Sequence, residues 1–415
     1  MATNLSKFVG QATWAIGATG ITVSGVGFQP KVVIFFSSSS VTAGASSSST
    51  KGSLCIGFSD GVNYGDSALG GNGGLSTSTA GHQSGQAAFI EILGNSPDSH
   101  ATTVSMSSDG FTATFDVAAV DGGVVDFIAL GGSDLANVAI GTMIVGTGGG
   151  NIVTSGLGFQ PNFVMLVSAG HNFAGTGESG VDANLSYGCA LSSTKRFAIA
   201  VAVADGATMS NGVNGVSIHR SDACLVGLTN GAAVSFVADF VSMDAGGFTI
   251  NVTTAPATQI KAFYLAIGGS NLNWDIATAA RPTTATTQSR TGLTFQPEVA
   301  WWANADLTTL NNITSNAVSL LGASDGTHTQ SLYASHNDAI NTVAGTKEAA
   351  VAAQDGAPAN SSVTASFTSF NSDGWTITWG GTGAANQISS VSLAGTTVAG
   401  ATCSHNLSLL GAGCS

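Results

Sequence analysis

The sequence predicts an all-β protein made of three tandem, homologous, antiparallel β-sandwich or jelly-roll-like domains. Short motifs recur in the same order about every 130 residues, the length of a whole domain and too long for a solenoid repeat. Within each repeat, apolar or β-branched runs alternate with Asp-Gly and Gly-rich breaks. No stretch combines a helical period with helix caps. We therefore place the domains at 1–137, 138–278 and 279–415, the last with a C-terminal tail.

The first recurring motif is a Phe-Gln-Pro step into an apolar strand. It is SGVGFQPKVVIFF from Ser24, SGLGFQPNFVMLV from Ser155 and TGLTFQPEVAWWA from Thr291. Proline fixes its own φ and pushes the preceding residue toward extended geometry, which suits the start of a central strand. Because the following residues are apolar at both parities, that strand should be buried on both faces. We predict structural roles, with the phenylalanines as core plugs, for Phe28, Pro30, Phe159, Pro161, Phe295 and Pro297.

The second motif predicts a β-hairpin late in each repeat. It is SSDGFTATF from Ser107, DAGGFTINV from Asp244 and NSDGWTITW from Asn371. Two-residue hairpin turns need positive φ, which glycine tolerates, so Gly110, Gly247 and Gly374 should be structural. A third motif then closes each repeat. It is FIALGGSDL from Phe127, YLAIGGSNL from Tyr264 and, eroded, VSLAGTT from Val391.

The first repeat illustrates the strand pattern that predicts the sandwich. About eight strands in roughly 130 residues, with turn chemistry between them, are typical of sandwiches and jelly rolls. The predicted strands are Phe8–Trp14, Ile21–Ser24, Lys31–Phe36, Ser53–Ser59, Ala88–Leu93, Thr102–Met106, Phe111–Asp116 and Val124–Leu130.

The scarcity of charge and the short apolar runs exclude two classes of partner, nucleic acids and membranes. Charged residues make up 8% of the chain, the net charge is -13, and no Lys or Arg lies between Lys51 and Lys195. Nucleic-acid binding requires clustered cations, so we expect none. No apolar run approaches the roughly 18 residues of a membrane helix, so we expect no membrane partner. A charge-poor surface favours burial in subunit contacts, hence a homo-oligomer.

Two GxSxG matches invite a catalytic interpretation that the context does not support. GFSDG begins at Gly57 and GASDG at Gly322. A nucleophile elbow lies between a strand and a helix, and no helical pattern follows either match, so we interpret both as hairpin turns. No His, Cys or carboxylate spacing fits a metal site well. We predict no catalytic residues, no cofactor and no metal.

Trp301 and Trp302 are adjacent on a predicted strand and should point to opposite faces. One belongs to the core. The other either packs against a neighbouring sheet or subunit, or forms an aromatic platform for a sugar ring. Both are therefore candidate glycan contacts.

Together, GFQPK entering an apolar strand, a Ser/Thr/Gly-rich middle, the DGF hairpin and the closing ALGG resemble a β-sandwich module of structural proteins of tailed bacteriophages. The resemblance covers all three repeats and weakens in the third, where LTFQPE replaces GFQPK and the glycine pair is lost. It implies location in the virion, as capsid decoration or as a tail, baseplate or fibre component. Expected partners are other virion proteins and the chain itself, three-fold assembly being common for such parts.

Two other functions stay open from the sequence. The chain could be a host-surface adhesin that binds glycans through its divergent third repeat, with whichever of Trp301 and Trp302 points outward. The least favoured function is that of a polysaccharide depolymerase, since no acid/base carboxylate pair is apparent by position.

Overall fold

The computed structural model describes residues 4–39, 46–48, 51–72, 79–85, 87–93, 96–170, 178–181, 183–203, 215–229, 233–315, 317–336, 343–348, 350–354 and 363–396. Throughout these ranges, the regular secondary structure is β, and every strand pairing is antiparallel. The predicted all-β fold class is confirmed. The predicted C-terminal tail beyond residue 396 lies outside the described residues.

The strands of the described residues form six sheets, three of seven strands and three of four. Each large sheet shares a buried apolar core with the small sheet from the same part of the chain. We call each such pair of sheets a unit and number the units along the chain.

Unit 1 has the large sheet β1-β11-β3-β5-β6-β7 and the small sheet β2-β10-β9-β8. These strands, with β4, which lies elsewhere, are β1 Leu5–Trp14, β2 Gly20–Ser24, β3 Val32–Ser39, β4 Ser46–Ser48, β5 Lys51–Ser59, β6 Tyr64–Asn72, β7 Thr79–Ser84, β8 Ile90–Leu93, β9 Ser96–Ser107, β10 Gly110–Phe115 and β11 Gly123–Gly132.

Unit 2 repeats this strand order. Its strands are β12 Asn137–Val145, β13 Gly150–Thr154, β14 Phe163–Ser168, β15 Glu178–Val181, β16 Ala183–Ala190, β17 Arg196–Val203, β18 Gly215–Arg220, β19 Leu225–Leu228, β20 Val234–Asp244, β21 Gly247–Thr254 and β22 Ile260–Gly268.

Unit 3 repeats it again. Its strands are β23 Leu272–Ala280, β24 Thr287–Arg290, β25 Val299–Asn304, β26 Ile313–Ser315, β27 Ala317–Ser324, β28 Thr329–His336, β29 Val343–Glu348, β30 Ala350–Gln354, β31 Val363–Asn371, β32 Gly374–Trp379 and β33 Gln387–Gly395. The predicted domain limits at 137/138 and 278/279 fall inside β12 and β23. The limits stay a prediction, because the units share strands.

The seventh strand of each large sheet comes from another unit. Strand β15 of unit 2 pairs with β7 of unit 1, and β26 of unit 3 pairs with β18 of unit 2. Strand β4 of unit 1 pairs with β29 of unit 3. Each unit therefore gives one short strand and receives one, and the three exchanges form a closed cycle.

A central apolar core joins the three units. Strand β3 shows how: Val32, Ile34 and Phe36 belong to the central core, whereas Val33 and Phe35 belong to the core of unit 1. The equivalent strands β14 and β25 divide their side chains in the same way. The prediction that this strand is buried on both faces is confirmed, and its second face is covered by the neighbouring units.

Candidate functional site

The glutamine of the Phe-Gln-Pro motif ties the loop to the hairpin in every unit. Its side-chain Nε2 donates a hydrogen bond to the backbone oxygen of the next-to-last residue in the first strand of the hairpin. The pairs are Gln29 with Met106 at 3.2 Å, Gln160 with Met243 at 2.7 Å and Gln296 with Phe370 at 2.9 Å. The motif recurs because the loop needs proline geometry and an amide donor together.

Backbone contacts make the same connection from the hairpin side. The backbone amide of Val26 donates a hydrogen bond to the backbone oxygen of Asp109. The amides of Leu157 and Leu293 make the equivalent bonds to the backbone oxygens of Gly246 and Asp373. In unit 1 the Asp109 carboxylate also accepts from the amides of Gly27 and Gly25, at 2.7 and 2.9 Å, which lowers the pKa of Asp109.

The three predicted hairpins are confirmed, and their glycines have a second role beside the predicted one. Gly110, Gly247 and Gly374 each begin the second strand, after a two-residue turn. A Cβ at these positions would lie 2.1, 1.8 and 1.7 Å from a backbone oxygen of the facing edge strand. The oxygens belong to Val23, Thr154 and Arg290. Close approach of a neighbouring backbone therefore requires glycine at all three positions, and the predicted positive φ is present at Gly110 (148°) and Gly374 (156°) but not at Gly247.

The prolines and phenylalanines of the motif occupy different depths. Pro30, Pro161 and Pro297 are buried. Phe28 and Phe159 are half-buried and pack against the cores of units 1 and 2, so they lie at the core margin and do not plug its centre. Phe295 is also half-buried, but it lines a cleft.

The interpretation of Trp301 or Trp302 as a glycan contact is wrong for this structure. Their exposed fractions are 2% and 0%. They do point to opposite faces: Trp302 packs edge-to-face on Trp375 inside unit 3, with ring centroids 5.3 Å apart. Trp301 lies in the central core, where its centroid is 5.6 Å from that of Phe163 in unit 2. Packing between neighbouring sheets, the other alternative, is what the structure has.

The serines of the two GxSxG matches lie in β-hairpins, as predicted. Ser59 ends β5, is buried, and its Oγ accepts the amide of Gly61 at 3.0 Å. Ser324 ends β27 and accepts the amide of Gly326 at 3.1 Å in the same way. These hydroxyls stabilise their own turns.

The chain runs directly from unit 1 to unit 2 and from unit 2 to unit 3. Units 3 and 1 are not consecutive in the chain, and non-covalent contacts hold them together. Lys7 Nζ of β1 lies 3.0 Å from Glu298 Oε1 of unit 3. The amide of Val9 donates to Asp325 Oδ2 at 3.0 Å, and the Phe8 ring packs against the His328 ring in a tilted arrangement, with ring centroids 4.5 Å apart. With the β4–β29 pairing, these contacts close the cycle.

A cleft of about 610 Å³ opens beside this closure. It is bounded by the Phe-Gln-Pro loop and hairpin of unit 3 and by the first strand of unit 1. Its lining is Lys7, Asn273, Thr294, Phe295, Gln296, Pro297, Glu298, Asp325, Phe370, Ser372, Gly395 and Thr396. Two aromatic rings and several amide, hydroxyl and carboxyl groups therefore face one space.

Three fully buried titratable groups, His219, Cys189 and Cys224, lie outside this cleft. His219 of unit 2 is fully buried with Nε2 2.7 Å from Ser389 Oγ of unit 3, and burial lowers the pKa of His219 to about 4. Burial also raises the pKa of the Cys189 and Cys224 thiols.

The residues that the structure describes contain no group of three or more His, Cys, Asp or Glu residues that could hold a metal ion. Over the same part of the chain, no helix is long and apolar enough to cross a membrane.

Comparisons with known proteins do not identify a family for this chain. No known family and no curated protein matches the sequence. Among solved structures, the PBCV-1 virus capsid gives a TM-score of 0.17 at 8% identity, covering 62% of this chain and 93% of that chain. The Dit protein of phage SPP1 gives 0.12 at 9% identity, covering 62% and 94%. Similarity this low carries no argument about fold or function.

Proposed function

We propose that this chain is a structural component of a bacteriophage virion, as capsid decoration or as part of a tail, baseplate or fibre. The observation that carries the proposal is the closed cycle of exchanged strands around a shared core. An exchanged strand covers one edge of each large sheet and ties that sheet to another unit. Such a block suits a load-bearing part better than a catalyst that must open and close.

The composition supports the same proposal. Charged residues are 8% of the chain, so there is little charge repulsion to keep copies of the chain apart. Three similar units in one chain also offer three similar contact faces to a lattice or to a three-fold axis. We propose further copies of the chain and other virion proteins as partners, no nucleic acid or membrane, and no enzymatic activity.

The test is quantitative mass spectrometry of density-gradient-purified particles, reporting the copy number of this chain relative to the major capsid protein. A ratio near one, or a simple fraction of it, supports capsid decoration. A few copies per particle support a tail, baseplate or fibre part. Absence from purified particles would overturn the virion proposal.

A glycan-binding adhesin is the second candidate, and one observation favours it. The cleft beside the closure combines two aromatic rings with polar groups and lies in unit 3, the divergent repeat. The buried tryptophans no longer contribute to this candidate.

A further inference from the structure

Phe295 occupies a different environment from its counterparts Phe28 and Phe159. The reason is that unit 3 lacks a glycine that units 1 and 2 have. In unit 1 the Phe28 ring lies so close to Gly131 that a Cβ there would be 2.9 Å from Phe28 Cδ2. In unit 2 a Cβ at Gly268 would be 2.5 Å from Phe159 Cδ2. Both rings are therefore seated where the closing motif has no side chain.

Unit 3 has Ala394 at this position. The register establishes the equivalence, because the amide after the proline donates to Leu130 in unit 1, to Ile267 in unit 2 and to Leu393 in unit 3, and the next residue is the one compared. The alanine methyl group fills the space that a seated ring would need. Phe295 accordingly lines the cleft, whereas its two counterparts pack against the cores of their units.

A second aromatic residue faces the same space. The residue that receives the glutamine hydrogen bond is a methionine in units 1 and 2 and Phe370 in unit 3. Phe370 also packs edge-to-face on Phe367, with centroids 4.7 Å apart, which restricts its ring. Aromatic faces carry negative potential and attract the polarised C–H groups on one face of a sugar ring.

The charged groups of the lining, one cation and two carboxylates, are already engaged within the protein, which favours a ligand that binds through uncharged groups. Lys7 is the one cation among the described lining residues, and Glu298 lies 3.0 Å away and pairs with it. Asp325 accepts hydrogen bonds from the amide of Val9 and from its own turn, and its Oδ2 lies 2.9 Å from His328 Nδ1. The side chains of Asn273, Thr294 and Ser372 add uncharged hydrogen-bonding groups to the lining.

We propose that this cleft binds a neutral saccharide, with sugar rings packed on Phe295 and Phe370 and hydroxyl groups bonded to the amide and hydroxyl side chains. Its volume of about 610 Å³ falls within the range of small-molecule sites. The site does not depend on the proposed structural role; it rests on the second candidate function, the glycan-binding adhesin, and names its ligand class.

The experiment is saturation-transfer NMR and calorimetric titration of the full chain with three neutral trisaccharides: maltotriose, cellotriose and N-acetylated chitotriose. Wild type should bind at least one of them. Phe295→Ala should bind it roughly ten-fold more weakly. The matched control is Phe28→Ala, the same change at the equivalent position of unit 1, which should leave affinity unchanged.

A second variant tests the same reasoning without removing an aromatic residue. Ala394→Gly recreates the space present in units 1 and 2, so Phe295 should seat on the strand and saccharide binding should weaken. No saturation transfer from the wild-type protein to any of the three trisaccharides would overturn the proposal. Equal losses for Phe295→Ala and Phe28→Ala would overturn it too, since the effect would then be one of stability. Unchanged binding by Ala394→Gly would overturn the role given to that alanine.

Discussion

Two adjacent glycines in the unit 2 hairpin, Gly246 and Gly247, should respond to alanine in opposite ways. A Cβ on Gly247 would lie 1.8 Å from the Thr154 oxygen, whereas a Cβ on Gly246 has no atom within 4 Å. Contacts under 3.0 Å are essentially never seen, so Gly247→Ala must push strand β13 away from β21 by roughly 1 Å. Gly246→Ala moves nothing.

The expected magnitudes follow from the ladder that is disturbed. Strand β13 pairs with β21 over five residues, from Gly150 to Thr154. Losing about two of these hydrogen bonds costs roughly 2 kcal/mol, and local overpacking adds about 1 kcal/mol or more, so the total is about 3 kcal/mol. Gly246→Ala should be neutral or stabilising by up to about 1 kcal/mol, because it restricts only the unfolded chain.

Urea denaturation and hydrogen-exchange mass spectrometry measure both variants. Gly247→Ala should lower the unfolding midpoint and increase exchange in the β13 peptide, while Gly246→Ala should match wild type or exceed it. Equal midpoints and equal β13 exchange in the two variants would refute the argument that backbone approach selects this glycine.

Three further predictions concern buried or hydrogen-bonded groups. Trp301→Ala should destabilise the chain by about 3–5 kcal/mol, as should Trp302→Ala, in urea titrations; a loss below about 1 kcal/mol for Trp301→Ala would contradict its place in the central core. The pKa of His219 is lowered from 6.5 to about 4, so the unfolded state takes up more protons between these values, and stability should fall as the pH drops from 6.5 to 4. His219→Gln should reduce the dependence of stability on pH between 6.5 and 4. An unchanged pH dependence would mean that other groups cause it. The pKa of Asp109 is lowered from 3.8 by the amides of Gly27 and Gly25, so its contribution is present above pH 3.8 and lost below it. Asp109→Asn should therefore lower the urea midpoint at neutral pH, and the midpoint of this variant should decrease less upon acidification than that of wild type. A midpoint equal to wild type at neutral pH would contradict this.

The strands with apolar or β-branched patterns could be predicted from the sequence. The eight predicted strands of the first repeat all have counterparts, from β1 to β11. Strands β6 and β7 were missed. Strand β6, YGDSALGGN, has no alternation of apolar and polar residues, because polar side chains such as Asp66 and Ser67 are buried in it. Hydrophobic periodicity cannot detect a strand whose buried positions are polar.

The exchange between units could not be predicted, for a different reason. Strand β4 is Ser46–Ser48, and three serines carry no strand signal. Its pairing depends on backbone groups at the edge of β29, which no local pattern describes. The two-sided burial of β3 was predicted, but the units that cover its second face follow only from the closed cycle.

The candidate cleft depends on differences between repeats that are small in sequence. Ala394 in place of glycine and Phe370 in place of methionine are single substitutions. The loss of the glycine pair was visible in the sequence, but its consequence for Phe295 required the distance between ring and strand.

The closed cycle of exchanged strands joins the three units, and a disulfide across its non-covalent junction tests it most directly. Ser47 of β4 and Ala344 of β29 are paired residues, so Ser47→Cys with Ala344→Cys places two thiols within reach of a disulfide. We predict an intramolecular crosslink in a monomeric chain under oxidising conditions, identified by peptide mapping and absent from the Ser47→Cys single variant. Crosslinks only between chains, or none at all, would contradict a cycle that closes within one chain.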